Sequence, residues 1–499
     1  MARAWTRELA GWLLAAAIAT VTAAVVASTP RAELLFRDGD SLVVALVVRS
    51  LSGGEPLDWA MSSVLFLPES AAFAALDSVL PLGVNGLFAV SAIVNLLALY
   101  GAIRLTAGRS RDGMAPVAWS LVALAAFGAL AMTETSPSRD ALELASLQTT
   151  TTYYSATVVA VVLTIGLGRL LVTGQRHGVA LLVALGLVAA VSTLSNPLYA
   201  VWATVPLGLL LLVVAVQTRR RTDILVALAV LLVGTGLGFV GRIPFAAWIA
   251  NTGAGYADPT LWREALEYYG ELFGDRLQHP LGATGMLLTV GLLSVAVVLS
   301  ARATDAATRF VAAAAWTMPL LVLIGAIALG THAARYLQPI GFAPVLALVT
   351  SPRIVRIPGH LRRPAAAAVG LLVLAGAGVS IPRLATAASD PDPDLRCVTD
   401  WVDASGRTGA GQFWTVRLPK LHLSDPARLV QVDHRLNAYA WLVNRTDFES
   451  ADVSFLVEDA QTVDWDLPTA VSPDAVVDCG RYSILDFGDE SLALGPAHS

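Results

Sequence analysis

The sequence predicts a polytopic α-helical membrane protein of about eleven transmembrane helices, with a C-terminal extracytoplasmic domain that is α/β or mainly β. Three observations carry that expectation. The 499 residues are 56% hydrophobic and only 14% charged, a balance foreign to an ordinary water-soluble globule. Apolar runs long enough to cross about 30 Å of hydrocarbon recur from residue 8 to residue 385. Beyond residue 387 those runs stop and short alternating stretches take over. A net charge of −5 gives no support for nucleic-acid binding, and no nucleic-acid partner is expected.

The runs lie near 8–28, 84–103, 115–133, 153–172, 179–195, 198–217, 223–241, 284–301, 308–330, 336–350 and 365–385. The N-terminal stretch MARAWTRELAGWLLAAAIATVTAAVVAST has the basic start and apolar core of a signal peptide. Its apolar run is nearer spanning length, so a retained first helix is the expectation and cleavage the alternative. Arginines test the count. Arg3 and Arg7 precede the first run; Arg104, Arg109 and Arg111 follow the second; Arg176 and His177 follow the fourth. Arg219, Arg220 and Arg221 follow the sixth, Arg302 and Arg309 flank the eighth-to-ninth turn, and Arg353, Arg356, Arg362 and Arg363 follow the tenth. With eleven crossings all six clusters share one side, which the positive-inside rule makes cytoplasmic. The expectation is a multi-pass plasma-membrane protein with a cytoplasmic N-terminus.

The opposite face receives 29–83, 134–152, 242–283, 331–335 and everything after about 386, long segments rich in acids and aromatics. Function is expected there. The division drawn is a transmembrane domain, 1–387, including the first outer loop 29–83, and a soluble outer domain, 388–499. A linker, SDPDPDLRC, opens the tail. QFWTVRLPKLHL, RLVQVDHRL, DVSFLVED and RYSILDF alternate as strands do, and NAYAWLVN reads as a short helix between them. Cys397 and Cys479, the only two cysteines, sit near the ends of the tail. In an oxidising outer compartment they are expected to pair, two buried thiols being the alternative. Two cysteines without histidines at ligand spacing do not make a zinc site.

The first outer loop opens with FRDGDS, residues 36–41. Carboxylates held against a helix bundle are costly unless hydrated, paired or used. Asp40 suits an N-cap on a helix starting near Ser41, which leaves Asp38 without a role. Either acid suits a general base that deprotonates an acceptor hydroxyl, and the D-x-D spacing suits a divalent cation, magnesium or manganese, beside a phosphate. Glu69 follows a proline in the first turn of a further short helix. SLVVALVVRSL and ESAAFAALDSVL are both short enough to lie in the membrane interface.

A second constellation is GTHAARYLQPI, 330–340, with His332, Arg335 and Tyr336. An arginine here can clamp an anionic phosphate through its fork of donors; an interfacial anchor is the plainer alternative. Above other spans stand Glu134, Arg139, Asp140, Tyr153 and Tyr154, and Asn196 in the turn STLSNPLYAVW. Glu69, Glu134, Tyr153, Tyr154 and Asn196 join His332, Arg335 and Tyr336 as candidate substrate and donor contacts. ADPTLWREALEYYGELFGD, 257–275, is amphipathic and fits a helix lying on the membrane.

An Asp-bearing first outer loop with interfacial helices, about eleven spans, the RYLQP stretch at 335–339 and an outer C-terminal domain together resemble the GT-C superfamily of integral membrane glycosyltransferases. RYLQP resembles the R-Y-x-x-P turn of relatives of protein mannosyltransferases and lipid A aminoarabinose transferases. The resemblance implies a polyprenyl-phosphate sugar donor, outer-face transfer to a glycan, lipid or protein acceptor, and a role in building the cell envelope. It implies Asp38 or Asp40 as the catalytic acid-base residue and Arg335 as a donor-phosphate contact. This chain departs from the pattern in its few outer Lys and His residues. A secondary transporter or flippase is the rival expectation, although charge gathers at one rim rather than the midplane. A non-catalytic envelope assembly protein is the other.

Overall fold

The computed structural model describes residues 2–499 except 110–112, 175–177, 218–220, 355–357, 390, 391, 451 and 468–470. Arg111, Arg176, His177, Arg219, Arg220 and Arg356 of the basic loops therefore lie outside the described residues. The chain forms two compact units. The first comprises Met1–Leu35, Asn85–Ile243 and Ala254–Ala388; the second comprises Phe36–Val84, Pro244–Gly253 and Ser389–Ser499.

Among the described residues nine helices are long and apolar enough to cross a membrane: Trp5–Val26, Val84–Thr106, Ser155–Val172, Gly178–Ser195, Ala200–Gln217, Arg221–Phe245, Pro280–Arg302, Ala306–Ala328 and Ala366–Ser389. This is the architecture of a polytopic membrane protein, and its cause is simple. Hydrocarbon offers backbone N–H and C=O groups no partner, so an apolar run must bond internally as a helix. Close packing relies on small residues. Gly234 and Gly238 press so near the Gly178–Ser195 helix that a Cβ would stand 2.7 Å from the Gly186 carbonyl and 2.6 Å from that of Ala190.

Two of the eleven runs take other forms. Pro116–Met132 is a helix of 17 residues, beginning where Ala115 N–H donates to Pro352 O at 2.7 Å. The run at 336–350 is not one helix. A 3-10 turn (Ala334–Leu337), a short α-turn (Pro339–Phe342) and a second 3-10 stretch (Pro344–Val349) follow one another. Pro339 and Pro344 lack the N–H a continuous helix needs at those positions. Side chains bond the irregular backbone instead. Trp202 Nε1 donates to Tyr336 O at 2.9 Å, and Arg169 donates to the carbonyls of Val349 and Thr350, both at 3.0 Å. Gln338 Nε2 meets Tyr153 O at 2.9 Å at one end, so the segment runs the length of the Ser155–Val172 helix. At about 2.0 Å rise per residue in 3-10 geometry, against 1.5 Å in an α-helix, it travels far in few residues.

Arg104, Arg109, Arg169 and Arg353 lie toward one end of this unit. Arg104 pairs with Glu8 at 2.5 Å. Arg109, Arg169 and Arg353 surround one cavity with Asp305. At the opposite end, residues 133–146, 268–279 and 331–335 come together with Arg31.

In the second unit the tail forms a seven-stranded mixed sheet. Its order is Gly495–His498, Asn437–Tyr439, Leu429–Val432, Gly409–Gln412, Phe455–Glu458, Tyr482–Asp486 and Ala475–Cys479. Gly409–Gln412 is parallel to both neighbours, and the last three strands of that order pair antiparallel. Ala410, Val430, Val432, Leu456 and Phe487 form its core. Two expectations fail. FWTVRLPKLH is a helix, Phe413–His422, because it is the crossover between parallel strands, which geometry usually makes helical. Asn437–Tyr439 and Val443–Asn444 are strands rather than the expected short helix, each paired to a neighbour.

The tail begins at Ser389, one residue beyond the expected division, but the first outer loop falls in the unit of the tail rather than in that of the long helices. Residues 36–84 pack with the tail: Trp59–Ala60 pairs antiparallel with Val443–Asn444, Arg445 Nη1 meets Asp58 Oδ1 at 2.9 Å, and Arg49 donates to the carbonyls of Leu421 and Leu423. The loop's helices are Val43–Ser52 and Leu67–Val79.

Cys397, on the Pro393–Ser405 helix, and Cys479, on an edge strand, form a disulfide across 82 positions. Closing a loop of that length restricts the unfolded chain by about 4 kcal/mol. Replacing both by serine is expected to lose stability of that order, read as faster proteolysis of the tail in the intact protein. His422 carries a second expectation. Burial and then Arg49 lower its pKa. The folded state thus binds fewer protons than the unfolded, so this stability is complete above the ordinary histidine value of about 6.5 and is lost as pH falls below it. Protease protection of the tail should decline below that pH, and His422→Gln should flatten the decline.

Candidate functional site

FRDGDS sits in the second unit as a tight turn. Asp38 Oδ1 accepts from Ser41 N–H at 3.3 Å and from Ser41 Oγ at 3.5 Å. Asp38 thus closes the turn, and the helix expected near Ser41 begins at Val43, so Asp40 is not its N-cap. The Val43–Ser52 helix takes Leu42 as its N-cap, without a side-chain bond. The turn is clamped from below by Arg417, 1% exposed. Its Nε donates to Gly39 O at 2.7 Å, its Nη1 to Leu442 O, and its guanidinium lies 4.8 Å from the Phe413 ring centroid. Gly39 fits because a Cβ there would meet the Trp414 ring at 3.0 Å and that of Phe413 at 3.2 Å. Burial lowers the Arg417 pKa to about 10, opposed by Asp40, Asp38 and Asp447. The result is a rigid turn with two half-buried carboxylates in the field of a buried cation. Arg37 meets Asp392 at 3.6 Å beside it. Glu69 is buried in the first turn of Leu67–Val79.

The other candidates belong to the first unit. Arg335 Nη1 lies 3.4 Å from Asp140 Oδ1, a pair whose side chains are 21% and 48% exposed. Tyr268 stands over His332, ring centroids 5.4 Å apart, and Tyr269 OH is 2.9 Å from Thr331 Oγ1. Tyr268 titrates above its ordinary value through burial and then the Asp140 charge. Tyr336 lies within electrostatic reach of Arg335, Tyr154, Tyr256 and Tyr269. An arginine among phenols, partly open to solvent, is suited to an anion with an organic body. The helix beneath, Trp262–Gln278, buries Ala265, Tyr269 and Arg276 and exposes Trp262, Leu266, Phe273 and Leu277.

Several expected contacts prove to be internal. Tyr153 and Tyr154 are buried, the second at positive φ and 5.8 Å from the Trp202 ring. Asn196 is buried in its turn, donating to Thr157 Oγ1 at 3.0 Å and accepting from Leu198 N–H at 3.0 Å. Glu134 accepts from Ala145 and Ser146 N–H at 3.0 and 2.7 Å and stands 3.6 Å from Arg276. It belongs to a network the sequence did not signal. Arg276 is 3.3 Å from Glu143, whose Oε2 accepts from Ser136 N–H at 2.7 Å. Arg31 donates to the carbonyls of Ser136, Ser138 and Glu143 and to Ser146 Oγ at 2.7 Å. Burial raises the Glu143 pKa, and the neighbouring Glu134 raises it further. A cavity of about 380 Å³ opens beside the network, lined by Ser136, Ser138, Asp140, Asp275 and His279 among others. The one hint in the sequence was charge immediately beside an apolar run, as at Arg31 after Pro30.

Among the described residues no group of three or more His, Cys, Asp or Glu side chains gathers as a metal site. No protein-family model matches the chain, and no curated protein matches it either.

The two kinds of site are separable by stability. Glu134→Ala strips a carboxylate from two buried N–H groups and a buried guanidinium, and is expected to cost about 3–5 kcal/mol. Arg335→Ala removes a part-exposed pair and should cost under about 1 kcal/mol. Thermal unfolding of the detergent-solubilised protein reads both.

Proposed function

We propose that this chain is a membrane glycosyltransferase that moves a sugar from a polyprenyl-phosphate donor to an envelope glycan, lipid or protein. The observation that carries the reading is the FRDGDS turn, in which a buried guanidinium immobilises Gly39 while the flanking carboxylates stay half-open. Such an acid is positioned before any substrate arrives, which is what general-base catalysis needs. In this reading Asp38 or Asp40 takes the proton of an acceptor hydroxyl as its oxygen bonds to the anomeric carbon. The bond from that carbon to the phosphate oxygen breaks, and the phosphate leaves with its charge. Arg335, framed by Tyr268 and Tyr336, is assigned the donor phosphate.

The reading includes eleven crossings: the nine long helices, Pro116–Met132 and the irregular Ala334–Val349. It places the end that carries Arg104, Arg109, Arg169 and Arg353 in the cytoplasm and the tail outside the plasma membrane. The discontinuous Ala334–Val349 segment is the feature that favours the rival, a transporter or flippase for an envelope precursor, since transport sites often use broken helices. Its residues are mostly buried, however, and its freed carbonyls are held by Trp202 and Arg169.

The test is single-turnover transfer by the reconstituted full chain supplied with radiolabelled polyprenyl-phosphate sugars and envelope extract. Asp38→Asn or Asp40→Asn, whichever removes the base, is expected to lower the transfer rate by about 100-fold or more, the share a positioned base supplies. Arg335→Gln should mainly weaken donor binding. Chelator added in parallel reads any dependence on magnesium or manganese. Native rates in Asp38→Asn, Asp40→Asn and their double variant would overturn the assignment, as would donor crossing the bilayer without being consumed.

A further inference from the structure

In the first unit, four segment ends line a cavity of about 260 Å³. That is room for about nine waters at roughly 30 Å³ each. Arg109 follows the Val84–Thr106 helix, Arg169 ends Ser155–Val172, Asp305 caps Ala306–Ala328, and Arg353 follows the irregular segment. Among the described residues three guanidiniums and one carboxylate line it, a surplus of two positive charges in a space the size of a small headgroup.

Each group is held in place. Arg169 is the floor, 9% exposed, and its donors are on the carbonyls of Thr106, Val349 and Thr350. The carboxylate of Asp305 accepts from Thr308 N–H at 2.8 Å, so part of its acceptor capacity is already spent on its own helix. Arg353 is fixed at the backbone, where Met114 bridges to it and Trp119 Nε1 donates to its carbonyl at 2.8 Å. Its side chain and that of Arg109 are exposed at the mouth. Met114 and Leu170 add an apolar lip beside helices of spanning length. A buried cation below, exposed cations above and an apolar edge match an amphiphile whose polar end is a phosphate ester. Basic pockets between membrane helices have that use elsewhere.

We propose that this cavity is a phosphate-ester site that seats the headgroup of an anionic membrane lipid. Arg109 and Arg353 close on the phosphate oxygens, and Arg169 supplies the standing positive potential beneath them. The site is separate from the sugar-transfer reading and stands without it.

The experiment is native mass spectrometry of the full chain, delipidated in detergent and titrated with phosphatidylglycerol, phosphatidylcholine or inorganic phosphate. The native protein should retain phosphatidylglycerol over phosphatidylcholine. Arg109→Gln with Arg353→Gln should weaken that retention by about tenfold or more, two charge-assisted contacts being lost. A control removing two exposed arginines elsewhere, Arg263→Gln with Arg435→Gln, should retain the lipid as the native protein does. Displacement of the lipid by inorganic phosphate would keep the phosphate site and assign it a soluble source. Equal retention of the two lipids, or equal loss in the two double variants, would overturn the proposal.

Discussion

A guanidinium withdrawn from water and bonded to main-chain carbonyls is the device on which this structure most depends. Among the described residues Arg31, Arg169 and Arg417 are buried in this way, and the part-buried Arg49 bonds carbonyls likewise. Arg31 holds the carbonyls of Ser136, Ser138 and Glu143; Arg49 holds Leu421 and Leu423; Arg169 holds Thr106, Val349 and Thr350; Arg417 holds Gly39 and Leu442. The physics is common to all four. Irregular backbone away from water leaves carbonyls without partners, and each orphan costs about 1–3 kcal/mol. One arginine offers five donors in a rigid fork and satisfies several carbonyls at once. Residues 134–146, 334–349 and 36–42 can therefore be irregular without being loose.

That device explains what could be read in advance and what could not. The long helices were legible because hydrocarbon forces an apolar run of about twenty residues into one answer. Strands at Leu429–Val432, Phe455–Glu458 and Tyr482–Asp486 were legible from their alternation. The Phe413–His422 helix was not. It is buried nearly all round, so its polar and apolar residues show no helical stripe, and its role as a crossover lies in strand order rather than local pattern. The broken segment around Pro339 and Pro344 read as a helix because hydropathy averages over prolines. Of the candidate site, FRDGDS and RYLQP stood out as charge beside apolar sequence. Their partners did not, since a carbonyl belongs to every residue and marks none. Glu134 and Asn196 were singled out for polarity at an outer rim, and their contacts are instead with the backbone and neighbouring side chains of their own unit.

The tail is more than an appendage to the apolar helices. Its Arg417 and the carbonyls around Leu421–Leu423 hold the acid-bearing turn and the helix after it. Substitutions in the tail can thus change the geometry at Asp38 and Asp40 while leaving both acids in place. The disulfide bears on this, because it ties the Pro393–Ser405 helix to an edge strand of the same sheet.

The pairing of Trp59–Ala60 with Val443–Asn444 also sets an order of events during synthesis. Asp58 and its partner Arg445 are 387 positions apart. At about 5–20 residues per second a ribosome needs roughly 20–80 s to bridge that gap. Throughout that time the early loop has been made and its partner strand has not. The nascent chain must keep Trp59 and the surrounding apolar residues from aggregating until Val443–Asn444 has been made, so this region folds only after the chain between them is synthesised.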